Sequence, residues 1–355
     1  MTERMPVAPA PTRPQAPVAG TRARRAPRPA VLGIALAVLA LVVVASLAIG
    51  TRQVPFDVVW AALASPDASD TDQLVVRELR VPRALIGVMA GAGFGVVAAL
   101  LQGATRNPLA DPGLLGLNAG ASLGVVAAIT FLGVASPFGF IWFAFGGAAL
   151  AAALVFAIGS MGPSGASPAK LALTGAAVTA AATPLITLLL IRDVGTLSQY
   201  RFWSVGSLSG RGIETVAVLW PFLVVGLLLA AWLSGRLNLL SLGDDVARGL
   251  GVRLGTTRVV TAVAVIVLAG TATSLAGPIA LLGLAVARAA RGLVGADYRW
   301  ITAVAGVLGG TVLLAADVLG RVVVAPAELE AGIVAAIIGA PVLIALVRRR
   351  GGASW

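Results

Sequence analysis

Ala30–Ile49 runs for twenty residues without one charged side chain. At about 1.5 Å of rise per residue, a helix of that length matches the roughly 30 Å hydrocarbon core of a bilayer. Similar runs recur at about 84–104, 114–132, 138–160, 171–191, 213–234, 258–276, 278–294, 301–319 and 331–347, which makes ten in all. In lipid every backbone N–H and C=O must pair internally, so only helices and closed barrels can span. These runs are far longer than the roughly ten residues of a barrel strand. The expected fold is therefore all-α: a polytopic bundle with about ten transmembrane helices, formed by one domain over residues 30–350. Composition points the same way, with 58% hydrophobic and 12% charged residues, against about 25% charged in soluble domains.

Residues 1–29 are rich in Pro, Ala and Arg without an apolar period, and 351–355 form a short tail. Both are expected to be cytoplasmic, and the first to be disordered. An Arg-rich segment before an apolar run also resembles a signal peptide. The first run is long for a signal core, however, and comparable sequence follows it, so it is expected to stay as a span.

The residue inventory removes most covalent chemistry. There is no His and no Cys, so triads built on His, thiol nucleophiles and imidazole or thiolate metal ligands lack their parts. The sole lysine, Lys170, precedes Leu171. A phosphate-binding P-loop needs Lys followed by Ser or Thr in a Gly-rich loop. No catalytic residue, metal or cofactor is expected, and the chain is not expected to be an enzyme.

The net charge of +11 could suggest nucleic acid, but its distribution speaks for a membrane. With ten spans and both termini inside, eighteen Lys and Arg fall inside and eight outside. Cytoplasmic loops carry that excess. The polar stretch Thr51–Arg83, with a short amphipathic helix near Phe56–Leu63, then lies outside. A long basic loop at 235–257 lies inside.

Several constellations have a plain and a functional reading. Gly87, Gly91 and Gly95 fall four apart, as do Gly116, Gly120 and Gly124, and Gly306 and Gly310. That spacing lines one helix face with small residues for close packing, and moving helices also use such seams. The turn around Asn107, Pro108, Asp111 and Pro112 is either a tight interhelical connection or irregular backbone lining a cavity. Thr179, Thr183 and Thr187 form a stripe beside Pro184. They either wall a polar path or bond back to their own helix, the plainer reading. Asp317 with Arg321, and Arg288 with Arg291, are expected at interfaces, where long side chains snorkel. In the loop Leu239–Gly251, apolar Leu240, Leu242, Val246 and Leu250 alternate with Asp244, Asp245 and Arg248 around Gly243 and Ala247. Two short amphipathic pieces joined near Gly243 are expected, docked on a partner or lying at the headgroups.

The segments LRVPRALIGVMAGAGFGVVAALLQGATRNPLADPGLLGLNAGASLG (79–124), YRFWSVGSLSGR (200–211), LLSLGDDVARGLGVRLG (239–255), AGPIALLGLAVARAARGLVGADYR (276–299) and PAELEAGIVAAIIGAPVLIALVRR (326–349) resemble the FecCD-type permeases of ABC importers. That family handles iron–siderophores, haem and vitamin B12. The resemblance covers about Val31 to Arg350, and its wording at 105–120 is most similar to the first permease of enterobactin-type pairs.

The resemblance implies type II ABC importer architecture in the bacterial inner membrane. Such a permease pairs with a second permease, a heterodimer being favoured here. Two ATPase subunits sit inside, an extracytoplasmic binding protein outside, and no nucleic acid is involved. It further implies that Leu239, Leu242, Gly243, Asp244, Asp245, Val246, Ala247, Arg248, Leu250 and Gly251 couple to the ATPase. Ser164 and Ser167 in the preceding turn, with Thr174, Thr179, Thr183 and Thr187, would line the path and its gate. Arg80, Arg83 and Arg321 would meet acidic residues of the binding protein, unless local acids such as Glu78 and Glu328 neutralise them. Three positions depart from the family's usual wording: Ala287–Arg288 stands for a Pro-His pair, Tyr298 for a His, and Glu330 for a Pro. The first departure weakens any gating role assigned there.

The cargo expected from this resemblance is ferric siderophore, with haem or vitamin B12 as alternatives. An ion-gradient-driven transporter is the main rival. It predicts mid-span acids at a substrate site, and only Asp317 comes close. A receptor or scaffold without transport predicts neither a special inner docking loop nor a Pro-broken polar turn.

Overall fold

The computed structural model describes residues 27–108, 110, 111, 113, 116–134, 136–159, 161 and 168–348. The N-terminal tail before Pro27, Pro112, Ser164, Ser167 and the last residues 349–355 lie outside them. The chain is all-α, with no strand among the described residues. In order the helices are α1 (Arg28–Ala48), α2 (Phe56–Ala64), α3 (Thr71–Leu74), α4 (Val81–Thr105), α5 (Leu117–Leu132), α6 (Pro137–Gly159), α7 (Pro168–Arg192), α8 (Val194–Ser204), α9 (Ile213–Leu240), α10 (Asp244–Gly249), α11 (Leu254–Ala276), α12 (Leu282–Val294), α13 (Tyr298–Val323) and α14 (Ala331–Arg348). A π-helical turn, Val75–Arg80, joins α3 to α4. Seven helices among the described residues are long and apolar enough to cross a membrane. With the shorter α5, α12 and α14 they account for the ten expected passes.

The passes alternate between two ends of the bundle. At the tail end, where α1 begins, Arg28 bonds the Val294 carbonyl at the close of α12, and pairs with Asp297. At the far end, where α1 stops, Arg321 of α13 reaches Ser46.

α4 is the axis of the fold. Its membrane stretch is 83% buried, whereas that of α1 is 11% buried and that of α7 17%. The glycine spacing explains why α4 can sit there. A Cβ added at Gly91 would lie 2.3 Å from the Gly309 carbonyl oxygen, and one at Gly95 would lie 2.1 Å from that of Ala305. The α4 and α13 backbones therefore touch, and the expected small-residue seam is a packing seam. Gly120 and Gly124 do the same between α5 and α6, against Gly147 and Phe143.

Two elements differ from the sequence expectation. The run 278–294 is not one continuous helix. Gly277, at φ +78, stops α11, and Leu281, at φ +66, precedes α12. Pro278 has no N–H with which to extend a helix. α12 is thus a 13-residue helix whose Gly283 abuts the carbonyl of Phe94, midway along α4. Irregular backbone at this depth is tolerated when protein surrounds it, and Gly277 and Ile279 are buried. The second difference is α8, which the hydropathy pattern missed. Asp193 caps it by accepting from the Gly195 and Thr196 N–H groups at 3.0 and 2.9 Å. An Asp before a Gly-Thr pair is a legible cap signal.

Candidate functional site

Polar side chains gather at the two ends of the bundle, and the two gatherings differ in kind. At the far end Asp317 is fully buried on α13. Arg83 donates to both of its oxygens, from Nε at 3.0 Å and from Nη2 at 2.8 Å. Arg321 pairs with Asp317 at 3.1 Å, and Arg83 also reaches Glu328 at 2.8 Å. The expectation of an interfacial, snorkelling Asp317–Arg321 pair is corrected: this is a buried ionic cluster. An acid without a paired cation could not remain charged at that burial.

The same arginines hold α1. Arg321 donates to the Ser46 carbonyl at 3.1 Å and to its hydroxyl at 2.7 Å. Arg80 donates to the Leu47 carbonyl at 2.7 Å and to that of Arg52. These are the last carbonyls of α1 and the chain just beyond it. Their lone pairs and the negative end of the helix dipole favour a cation. Arg80 and Arg321 are 5% and 3% exposed, so two of the three arginines expected to meet a partner are sunk within this chain. Of the acids named as local neutralisers, Glu328 takes that role for Arg83, while Glu78 stays exposed. A cleft of about 570 Å³ opens over the cluster, walled by Arg52, Arg80, Arg83, Arg211, Arg321, Glu78 and Glu328. Burial lowers the Arg211 pKa to about 10, against the pull of Glu330.

At the tail end α9 runs unbroken to Leu240, the chain turns through Ser241–Gly243, and α10 follows. The expected pair of amphipathic pieces is therefore one six-residue helix plus the last turns of α9. The first backbone break comes at Gly243, at φ +111. Leu239 belongs to α9, and Gly251, at φ +84, closes the loop after α10. Ala247 is fully buried and anchors α10 inward, while Leu242, Val246 and Leu250 are 59%, 49% and 57% exposed. Asp245 and Arg248 pair with each other on the exposed side. Asp244 instead accepts from Arg106 at the end of α4 and from Arg258 of α11, the latter at 2.8 Å. Nothing in the sequence pattern linked Asp244 to residues 138 and 14 positions away.

The Pro-broken turn lies beside this loop. Asp111 accepts from the Gly113 N–H at 2.8 Å, and the Asn107 carbonyl accepts from the Ala110 N–H. Pro108 lies between them. The Asp111 pKa is raised by burial, against the Gly113 bond. Gly116 at the turn's end lies against α7, where an added Cβ would meet the Gly175 carbonyl and Val178. A neighbouring node caps α13. Asp297 accepts from the Arg299 N–H at 3.0 Å and from Asn238 at 2.7 Å. Burial alone would raise its pKa, but those bonds and the Arg28 charge lower it on balance.

On α7 three threonine hydroxyls donate to the carbonyl four residues back: Thr179 to Gly175, Thr183 to Thr179 and Thr187 to Thr183, at 2.8–3.0 Å. The back-bonding expectation holds. The face is nonetheless uncovered in the single chain, since Thr183 and Thr187 are exposed and Thr174 half-buried. Ser164 and Ser167, expected with them, lie outside the described residues. Arg288 is buried within the chain. Tyr298 accepts from Arg291 at 2.8 Å.

A ten-pass helical bundle with a buried ionic cluster at one end and an exposed apolar loop helix at the other is the framework of a multi-pass permease. The chain belongs to the FecCD transport family, whose model matches residues 38–349. It is 43% identical over 321 residues to the ferric enterobactin transport system permease protein FepD of Escherichia coli, covering 90% of this chain and 95% of that one. It is 37% identical over 320 residues to the iron(3+)-hydroxamate import system permease protein FhuB of Bacillus subtilis, covering 90% and 83%. Among solved structures, an inward-facing metal-chelate type ABC transporter superposes with a TM-score of 0.79 at 28% identity, covering 90% of this chain and 99% of that one. The chain is thus a FecCD-type permease of the ABC-importer class, a multi-pass protein of the bacterial inner membrane.

Proposed function

We propose that this chain is one permease of an ATP-driven importer for ferric siderophore, with both termini and α10 in the cytoplasm. The observation that carries the reading is the exposed ridge of Leu242, Val246 and Leu250, formed by α10 and the residues flanking it and anchored by buried Ala247. Apolar side chains held outward between charged neighbours suit a protein partner, and an ATPase subunit fits that description. Two such subunits would drive the permease together with a second one, most simply a related chain forming a heterodimer. The bare face of α7, with Thr174, Thr179, Thr183 and Thr187, would line the path between them, and Ser164 and Ser167 would belong to its inner gate. Alternating access then follows from two states biased by nucleotide.

The names of FepD and FhuB support an iron–siderophore cargo over haem or vitamin B12. The binding protein would dock over the far-end cleft. Arg80 and Arg321 act there through the field they add to its wall, since their Nη groups donate within the chain. Such a field steers an acidic partner more than it binds it.

The test is uptake into proteoliposomes holding both permeases, the ATPases and the binding protein, with ferric enterobactin, a ferric hydroxamate and haemin offered in parallel. ATP-dependent uptake of a ferric siderophore is expected. The Leu242→Asp, Val246→Asp double variant should insert normally yet lose co-purification with the ATPase, because an unpaired charge is costly to bury. Uptake that follows a proton gradient without ATP overturns the reading.

A further inference from the structure

Asp244 begins α10, within the exposed ridge of Leu242, Val246 and Leu250, yet it turns into the bundle. One of its oxygens accepts from Arg106 and the other from Arg258. Three elements therefore meet on one carboxylate: α10, the end of α4 and the second turn of α11. A cavity of about 270 Å³ lies at this junction, between Leu101, Phe156, Leu171 and Leu240. The junction is spanned by charge where it is not filled by packing.

Arg106 makes the arrangement informative. It ends α4 in the left-handed conformation, at φ +51. Glycine takes that conformation without steric cost, while a residue with a Cβ does so uncommonly. The arginine side chain is what Asp244 holds. Both ion pairs are part-exposed, with Asp244, Arg106 and Arg258 side chains at 30%, 44% and 43%. Pairs so exposed add little to stability. A link of that strength can be made and broken between two states, which is what a transmitting joint requires.

We propose that Asp244 is a positioning residue that passes the displacement of α10 to Arg106. From there it follows the chain to Gly116, which lies against α7. The inference rests on the ATP-driven reading above and adds the route by which a push on α10 reaches the face that would line the path. Spatial continuity alone does not establish coupling, so the test must read coupling itself.

The chain has no cysteine, so Thr183→Cys places a single reporter on α7. In the assembled complex, its thiol labelling rate is read with and without ATP, beside ATP hydrolysis and siderophore uptake. Asp244→Asn should leave the thermal stability of the permease unchanged, since ion pairs so exposed add little to it. It should lower uptake about tenfold, within the usual span of inter-site coupling, and abolish the ATP-dependent change in labelling. Arg106→Gly should do the same with thermal stability unchanged or raised, since glycine suits that cap. Asp244→Glu, which keeps the charge, should retain at least half of the uptake. Wild-type uptake and labelling response in Asp244→Asn and Arg106→Gly would overturn the proposal. So would parallel loss of thermal stability and ATPase binding in all three variants, which would mark a merely structural contact. If the wild-type complex imports without ATP, the ATP-driven reading fails instead. A nucleotide-dependent labelling change lost on Asp244→Asn would then still support the joint, and one that persists would overturn it.

Discussion

α4 and α7 are each 25 residues long, rich in Ala, and free of acids. One is 83% buried over its membrane stretch and the other 17%. Hydropathy cannot tell them apart, because lipid and protein interior are equally apolar to a leucine. The difference comes from what each places at four-residue intervals. α4 has Gly87, Gly91 and Gly95 there, which let α13 come to backbone contact. α7 has Thr179, Thr183 and Thr187, whose hydroxyls are satisfied by their own helix and leave nothing for a neighbour within the chain to grip. A helix that needs no partner for its polar atoms, and has no seam for close approach, is free to face another subunit or a path. The centre holds the fold, and the rim is left for function.

The largest effect should come from removing the buried charge at the far end of the packed side. Asp317→Asn leaves Arg321 buried with no carboxylate against it, while Arg83 keeps Glu328. Breaking a buried pair in this way costs about 3–5 kcal/mol. The expected result is a large drop in thermal stability in detergent, together with loosening of α1, whose last carbonyls Arg321 and Arg80 cap. Increased proteolysis near Thr51 would report that loosening. An unchanged melting curve would show that the cluster contributes nothing to stability as charge.

This cluster also shows where sequence reading stops. The number and order of passes followed from length and hydropathy alone, because the bilayer fixes the length of an apolar helix. The glycine seams followed from spacing. The Arg83 partner of Asp317 did not: it is 234 residues away, and the rule that places a charge near a span end at the interface fails when an arginine reaches it from another helix. Asp244 escaped notice for the same reason. Its i,i+3 and i,i+4 neighbours give no hint of Arg106, so the functional reading of the loop stopped at its apolar ridge. The break at Gly277–Leu281 was partly legible, since Gly-Pro is a stop signal. Eight apolar residues after it masked the stop in a hydropathy average.

Next in size is the seam itself. Gly91→Leu would drive a side chain into the Gly309 carbonyl, which lies 2.3 Å from where a Cβ would stand. Overpacking typically costs ~1–3 kcal/mol. The upper part of that range is expected, because backbone on α13 cannot swing aside as a side-chain tip could. Melting temperatures of Gly91→Leu and Gly91→Ala, measured together, should fall in proportion to added volume. If both melted as wild type, α4 and α13 would have to be separated in the native membrane.

The smallest effect belongs to the bare side, and its smallness is the point. Thr183→Val removes a hydroxyl that serves only the carbonyl of Thr179, on a side chain exposed in this chain. Valine is close in shape, and substitutions on uncovered positions generally stay within about 0.5 kcal/mol. Thermal stability of the single permease should therefore not move. If the face lines a path in the assembled importer, uptake is the quantity that responds. A wet wall turned apolar repels polar cargo, whereas a wall against lipid is indifferent. Thr183→Val and Thr187→Val together should lower uptake without changing ATPase assembly, whereas Thr183→Ser should not. A stability loss approaching that of Gly91→Leu would erase the contrast between α4 and α7. It would mean that α7 is packed within its own subunit in the membrane, and that the path runs along a different helix.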